Sequence, residues 1–198
     1  MPRGDEMRPA PTPSVKFTYE DFLNFPDDGK RHEIIDGEHF VTPSPNTKHQ
    51  AVSMNLAAIL WTYLKDHPIG AVFAAPFDVV FSDVDVVEPD LIYVSLERLH
   101  ILTSQHARGA PDLAVEILSP GTRMTDEVKK RQLYERFGVG EYWVIDPELN
   151  TITVYRRVQD AFVRVAELSA EHADMLTTPL LPGFSVTLAE VFDSPFPA

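Results

Sequence analysis

Two carboxylates lie within or beside short apolar segments that have the composition of buried β-strands. Asp90 directly precedes residues 91–94, and Glu116 lies inside residues 113–118. Burying a carboxylate costs free energy unless a positive charge compensates it, and a divalent metal ion is one such partner. Alternation along the second segment leaves apolar residues on both faces, as in a central strand that is covered on both sides. Asp90 and Glu116 are therefore candidates for a buried catalytic site.

A lysine on the apolar side of the next predicted helix offers a matching positive charge. At about 100° per residue, residues 124–137 place Lys130 near the middle of an arc that also carries Leu133 and Tyr134. A lysine on the buried face of a helix is uncommon and needs a counter-charge. The two strand carboxylates are the expected counter-charges.

These groups together suggest metal-assisted hydrolysis of a phosphodiester. Asp90, Glu116 and the backbone carbonyl of Ile117 offer the oxygen ligands that Mg²⁺ prefers, and Mn²⁺ is an alternative ion. The ion would lower the pKa of a water molecule and stabilise charge on the phosphate. Lys130 would orient the attacking water or neutralise developing negative charge. The alternative is structural: Lys130 and Glu116 form a buried ion pair that completes the core.

Hydrophobic periodicity and turn residues predict the elements that position these side chains. Thr18 is a candidate N-cap, and Asp36-Gly37 suits the positive φ angles of a tight hairpin turn. We expect an α/β fold, in which two helices pack against one mixed β-sheet with antiparallel hairpins. The predicted helices cover residues 19–24, 48–65, 124–137 and a turn near 188–192; the predicted strands cover 33–35, 38–40, 71–75, 77–81, one that starts at 90, one that contains 116, 141–145, 151–157 and 162–168; residues 96–110 are predicted to be a polar loop.

Composition indicates one domain. With 198 residues, of which 44% are hydrophobic, the chain is long enough to bury a full core, and we expect a single domain over residues 15–198. Residues 1–14 are rich in proline and are expected to form a disordered tail rather than a signal peptide. The sequence has no cysteine and no apolar run of the roughly 20 residues that a membrane span needs, so we expect a cytoplasmic protein without a membrane partner.

Six segments together resemble a known family. Their order along residues 17–192 resembles the Uma2 family (domain of unknown function 820), whose members are similar to restriction endonucleases of the PD-(D/E)XK superfamily. Any one of the segments alone would be a weak signal. They are Arg-His-Glu-Ile-Ile-Asp-Gly-Glu at 31–38, Pro-Asp at 89–90, Val-Glu-Ile-Leu-Ser-Pro at 115–120, the set Asp126, Lys130 and Tyr134, Gly-Val-Gly-Glu-Tyr-Trp-Val-Ile-Asp-Pro at 138–147, and Leu-Pro-Gly-Phe at 181–184.

The resemblance implies a restriction-endonuclease-like fold and a Mg²⁺-dependent nuclease site. Asp90 takes the first acidic position of the superfamily and Glu116 the second. The superfamily motif places a lysine two residues after the second acid, where this chain has Leu118. Leucine has no amine to contribute, and we expect Lys130 to replace the missing lysine from the helix.

Two further residues are candidates for the same site. Glu33 resembles the additional acid that such nucleases contribute from an N-terminal element, where it would bind a second metal or a metal-bound water. The alternative is a cross-strand partner for Lys30 or Arg31. His49, in the first turn of the long helix, is a candidate proton shuttle or phosphate contact. Its alternative is a partly buried histidine that hydrogen-bonds to the backbone.

The leading functional hypothesis is a Mg²⁺-dependent DNA endonuclease, and the resemblance implies a homodimer. The formal net charge of -13 weighs against a broad nucleic-acid-binding surface, because phosphate neutralisation needs clustered lysine and arginine. A second hypothesis is therefore a catalytically silent member that serves as a nucleic-acid or protein interaction module. A third is a metal-dependent hydrolase that acts on a different phosphoester.

Overall fold

The computed structural model describes residues 15–121 and 123–194, so the predicted tail at 1–14 lies outside the described residues. Three short helical turns, Leu96–Ile101 and Ala170–His172 (3₁₀) and Thr125–Lys130 (π), join the regular elements. In chain order the helices are α1 (Tyr19–Phe22), α2 (Thr47–Asp66), α3 (Arg131–Phe137) and α4 (Leu188–Val191), and the strands are β1 (Arg31–Ile35), β2 (Glu38–Thr42), β3 (Gly70–Ala74), β4 (Val79–Ser82), β5 (Asp85–Val87), β6 (Leu91–Ser95), β7 (Ala107–Arg108), β8 (Leu113–Ile117), β9 (Glu141–Asp146), β10 (Thr151–Val158), β11 (Ala161–Ser169), β12 (Met175–Thr177) and β13 (Ser185–Thr187).

A six-stranded mixed sheet forms the centre of the fold, in the order β11-β10-β9-β8-β6-β3. Strand β8 lies between β9, to which it is parallel, and β6, to which it is antiparallel. Every residue of β8 is buried. The prediction that Glu116 belongs to a central strand covered on both faces is confirmed.

Helices cover the two faces of this sheet. On one face, Leu56 and Leu60 of α2 pack in one cluster with Val115. On the other, Leu133 and Tyr134 of α3 share a cluster with Ala114, Tyr142 and other residues of the sheet. Helix α3 ends at Gly138, whose φ of 83° is accessible to glycine at little cost. The expected α/β architecture, with a helix on each face, is confirmed.

A second sheet of five strands, in the order β2-β1-β5-β4-β7, packs on the face that carries α3. The expectation of a single sheet is therefore wrong. The second sheet was not predicted because β5 and β7 have only three and two residues, which is too short to show alternation. The predicted hairpin of β1 and β2 is confirmed: Asp36 and Gly37 have φ angles of 53° and 78°, and Ile35 pairs with Glu38. This hairpin brings the face of β1 that carries Glu33 toward the central sheet.

The helix predicted over residues 124–137 forms with a different local geometry. A π-helical turn over Thr125–Lys130 precedes the regular α3. Asp126 and Lys130 are both buried on the inner side of this turn. Single π-helical turns are frequently found at functional sites.

The C-terminal segment packs into the core on the α2 side. Phe184, Val186 and Leu188 join the cluster that contains Leu56 of α2, and the predicted helical turn is present as α4. The predicted polar loop at 96–110 instead contains a 3₁₀ helix, Leu96–Ile101, and strand β7. None of the described helices is long and apolar enough to cross a membrane.

Gly70, at the start of β3, has no room for a side chain. A Cβ there would lie 2.5 Å from Cε2 of Tyr93 and would overlap the carbonyl oxygen of Val94. Because that backbone belongs to a central strand, Gly70→Ala is expected to lower the free energy of unfolding by about 1–3 kcal/mol in urea denaturation. Gly121→Ala is the control, since nothing lies within 4 Å of its added Cβ. Equal stability of the two variants would contradict the tight contact at Gly70.

Candidate active site

Asp90 immediately precedes β6, and Glu116 lies in the neighbouring strand β8. Leu91 of β6 pairs with Val115 of β8 in an antiparallel register, so Asp90 and Glu116 each directly adjoin a residue of this pair. The Oδ2 atom of Asp90 accepts a hydrogen bond from the backbone N–H of Ile117 at 2.7 Å. Asp90 and Glu116 are 2% and 1% exposed. The structure thus brings together the two carboxylates that the sequence placed in separate segments.

Glu116 accepts two hydrogen bonds on one oxygen. The amine of Lys130 lies 3.0 Å from Oε1 of Glu116, and the hydroxyl of Tyr134 donates to the same oxygen at 2.5 Å. Both donors come from the helical segment that follows β8. The two donors on Oε1 orient the carboxylate of Glu116. Neither of these two bonds involves its second oxygen, Oε2.

The Lys130 amine is the common partner of three carboxylates. Lys130 is 2% exposed, so these contacts form away from solvent. Each carboxylate comes from a different element: β1, β8 and the π-helical turn. The distances are 2.8 Å to Oε1 of Glu33, 3.0 Å to Oε1 of Glu116 and 3.5 Å to Oδ1 of Asp126.

Glu33 belongs to this cluster and not to a surface ion pair. Besides its contact with Lys130, it accepts a hydrogen bond from the backbone N–H of Glu88 at 2.9 Å. The alternative partners from the sequence, Lys30 and Arg31, pair elsewhere: Lys30 with Asp28, and Arg31 with other acids. The cross-strand alternative for Glu33 is therefore wrong, because the side chain points into the core and is 2% exposed.

His49 contacts Asp90 from the first turn of α2. Asn46 caps this helix by accepting from the backbone N–H of His49 at 2.9 Å, which places the imidazole at the cluster. Its Nε2 lies 3.2 Å from Oδ2 of Asp90, so the ring bonds to a carboxylate and not to the backbone. Among the described residues, no partner hydrogen-bonds to its buried Nδ1. The neutral ring therefore carries its proton on Nε2.

Arg31 is a site residue that the sequence predicted only as a possible partner of Glu33. Its Nε lies 2.7 Å from Oε1 of Glu88 and its Nη2 lies 3.0 Å from Oδ1 of Asp90. Residues two apart in a strand share a face, so Arg31 and Glu33 of β1 point toward the same cluster. This alternation was the signal in the sequence that could have identified Arg31 as a site residue. Using it required knowing which strand lies beside β1.

The cluster contains more negative than positive charge. Four carboxylates, Glu33, Asp90, Glu116 and Asp126, are buried. Among residues 15–121 and 123–194, Lys130, Arg31 and the imidazole of His49 form ion pairs with them. Burial raises the pKa of Glu116 well above its ordinary value of 4.5; Lys130 opposes this shift, and the three neighbouring carboxylates increase it. The ionised form of Glu116 therefore costs free energy in the fold.

Asp90 has the opposite shift. Burial raises its pKa, but the hydrogen bond from His49 and the charge of Arg31 outweigh burial and lower the pKa to about 2. Burial alone would lower the pKa of the Lys130 amine, but the three carboxylates around it raise that pKa above its ordinary value. Asp90 is therefore an anion and Lys130 a cation at neutral pH.

The cluster forms one wall of an open cavity of about 540 Å³, whose lining includes Asp90, Glu116, Ile117 and Lys130. Within the described part of the chain, no three His, Asp or Glu side chains converge in a metal-binding geometry. Mg²⁺ is commonly held by only one or two carboxylates, with water and substrate oxygens completing its coordination. Two carboxylates at one cavity wall, in a cluster with surplus negative charge, fit this donor set.

Comparison with known proteins agrees with the fold. The model of the Uma2 family, described as "Putative restriction endonuclease", matches residues 19–189. The chain belongs to the Uma2 family. This membership supports a nuclease-like function. The expected relation to that family is confirmed.

A solved structure has the same fold. It is a "putative nuclease belonging to DUF820" from Anabaena variabilis, 24% identical in sequence, with a TM-score of 0.74. The match covers 89% of this chain and 97% of the other. The restriction-endonuclease-like fold expected from the sequence is confirmed. No curated protein matches the chain.

Replacing Glu116 with a neutral isostere should stabilise the metal-free protein. Because the pKa of Glu116 is raised in the fold, the stability that Glu116 contributes is fully present below its ordinary pKa of 4.5 and is lost as pH rises through the folded-state pKa. Glu116→Gln removes that loss and should be more stable at pH 8.5 by about 1 kcal/mol, or roughly 2–4 °C in Tm. The advantage should shrink toward pH 5.

Chemical denaturation in EDTA at both pH values measures this difference. Glu148→Gln, at an exposed position, is the control and should match the wild type at each pH. If Glu116→Gln is less stable than the wild type at pH 8.5, the ion pair with Lys130 outweighs the surplus charge, contrary to expectation.

Proposed function

We propose that this chain is a Mg²⁺-dependent endonuclease that hydrolyses phosphodiester bonds of DNA, with Mn²⁺ as an alternative ion. The observation that carries the proposal is the convergence of Asp90, Glu116 and the Lys130 amine at one wall of the cavity. Membership of the Uma2 family supports the same class of reaction. Hydrolysis adds one water across a P–O ester bond: phosphorus gains an oxygen, and the released sugar oxygen takes a proton.

Asp90, Glu116 and the backbone carbonyl of Ile117 would hold the metal ion, since all three residues line the cavity. A bound divalent cation would supply a water of lowered pKa and would stabilise charge on the phosphate. The low pKa of Asp90, about 2, keeps an anionic ligand available throughout the physiological pH range. Glu116 adds a second carboxylate whose raised pKa would fall beside a cation.

Lys130 acts as a cation and not as a base. Three carboxylates raise its pKa, so at neutral pH the amine holds its proton and can only donate hydrogen bonds. A charged donor beside the metal carboxylates would orient the attacking water or stabilise charge that develops on the phosphate. Glu33 contacts the amine at 2.8 Å and would hold it in place. A contribution of Glu33 to a second metal, or to a metal-bound water, belongs to the same proposal.

We assign His49 a positioning role toward Asp90. Its Nε2–H donates to Oδ2 of Asp90, while the Ile117 N–H donates to the same oxygen. These two donors fix the orientation of the carboxylate and favour its charged form. A role of His49 as proton shuttle or phosphate contact would require its ring to leave Asp90, since Nε2 is the nitrogen at that carboxylate.

DNA is the proposed substrate, and a homodimer is the proposed active form. The two strands of a duplex are antiparallel, and a two-fold dimer presents one site to each strand. The chain's charge of -13 indicates that binding depends on local cations at the cavity and not on a broad basic surface.

Asp90→Asn and Glu116→Gln should lose DNA cleavage by at least about 100-fold, because each removes one charged metal ligand. The assay is nicking of supercoiled plasmid with Mg²⁺ or Mn²⁺, with EDTA as the blank. Asp160→Asn is the matched control, since the Asp160 side chain is 99% exposed. Wild-type protein that nicks no DNA with either ion would favour the silent interaction module.

Lys130→Met should reduce cleavage by about 10²–10³-fold while Mn²⁺ binding persists in calorimetry, because the amine acts on the reacting groups and not on the ion. Lys129→Met is the control, since Lys129 pairs at the surface with Glu38. Removing Lys130 takes away the amine that contacts three buried acids, so Glu33→Gln/Lys130→Met provides a second variant with less surplus charge. Full activity in either Lys130 variant would exclude the proposed role.

A further inference from the structure

The proposed chemistry does not assign a function to Arg31. It is the first residue of β1, lines the cavity, and has a side chain that is only 16% exposed. A guanidinium in such a position needs acidic partners, and Arg31 has two of them, Glu88 and Asp90. Glu88 also lines the cavity. The pair of acids therefore holds a fixed positive charge at the cavity wall.

The guanidinium uses one edge for these partners. Its Nε lies 2.7 Å from Glu88 and its Nη2 lies 3.0 Å from Asp90. A guanidinium has five N–H donors in a rigid plane, and the second edge carries Nη1. Anchoring one edge orders the other edge before any ligand binds. An ordered fork of N–H donors is the geometry that binds phosphate oxygens in a bidentate manner.

The electrostatics of the cavity require such a group. The cluster carries surplus carboxylates, which repel a phosphodiester. The Lys130 amine already contacts three of them. Burial alone would lower the pKa of Arg31, but the charge of Asp90 and of the other nearby carboxylates raises that pKa above its ordinary value. Arg31 therefore remains cationic at any working pH and places a largely covered positive charge at the cavity wall.

We propose that Arg31 binds a backbone phosphate of the nucleic-acid substrate, with Glu88 and Asp90 holding its guanidinium in place. This inference rests on the proposed function and adds to it the residue that brings the phosphate to the metal carboxylates. Removal of Arg31 has two effects of opposite sign. It weakens binding of DNA, and it strengthens binding of a divalent cation, because a positive charge beside Asp90 is lost.

The test uses the full chain with Arg31→Gln, and Arg164→Gln as the matched control. Arg164 lies on β11, pairs with Glu167 and is 59% exposed, so both variants lose one positive charge. Fluorescence anisotropy in EDTA measures duplex DNA affinity between 50 and 200 mM salt, without cleavage. Loss of one phosphate contact reduces the slope of log K against log salt by about 0.9. We expect that reduction and about tenfold weaker binding in Arg31→Gln alone.

Calorimetry with Mn²⁺ and no DNA gives the second readout: binding to Arg31→Gln should be several-fold tighter than to the wild type. A purely structural role would not weaken DNA binding and strengthen ion binding together. Because Arg31→Gln leaves Glu88 unpaired, Arg31→Gln/Glu88→Gln repeats both measurements with less surplus charge. A wild-type salt slope in these variants overturns the inference. If the wild-type enzyme still cleaves plasmid, the proposed function survives that result.

Discussion

The Lys130 amine, in contact with three buried carboxylates, is the interaction on which the rest of the site depends. Glu33 comes from the second sheet, Glu116 from the central sheet, and Asp126 from the π-helical turn. Burying any of these charges alone would cost several kcal/mol. Because the amine compensates all three, the hairpin, the central strand and the helical segment must pack with their charged residues at one point.

The positive charges of the cluster do not balance its negative charges, and this imbalance links the stability of the fold to its function. Four buried acids share two fixed cations, and the pKa of Glu116 is raised as a result. Surplus charge of this kind destabilises a folded protein, and such conflicts with stability persist mainly at functional sites. A divalent cation at Asp90 and Glu116 would supply the missing positive charge. Ion binding and folding would then be thermodynamically linked in this chain.

Local patterns predicted the parts of the site that depend on a single element. The two apolar faces around Glu116 indicated a central strand, and the helical arc indicated a buried Lys130. The second sheet was missed because its strands β5 and β7 have too few residues to alternate. Arg31 was not identified as a site residue for a related reason: its partners, Glu88 and Asp90, are defined by strand packing and not by spacing in the sequence.

The departure from the superfamily motif at Leu118 has a structural explanation. Leu118 is 4% exposed and packs in the same cluster as Leu133 of α3, so a lysine amine at that position would enter an apolar environment. Lys130 instead approaches from the π-helical turn and meets Glu116 at 3.0 Å. Chemistry at a phosphate depends on where the positive charge lies in space and not on where the charged residue lies in the sequence. A motif defined by sequence spacing does not include Lys130, whereas the structure places its amine beside Glu116.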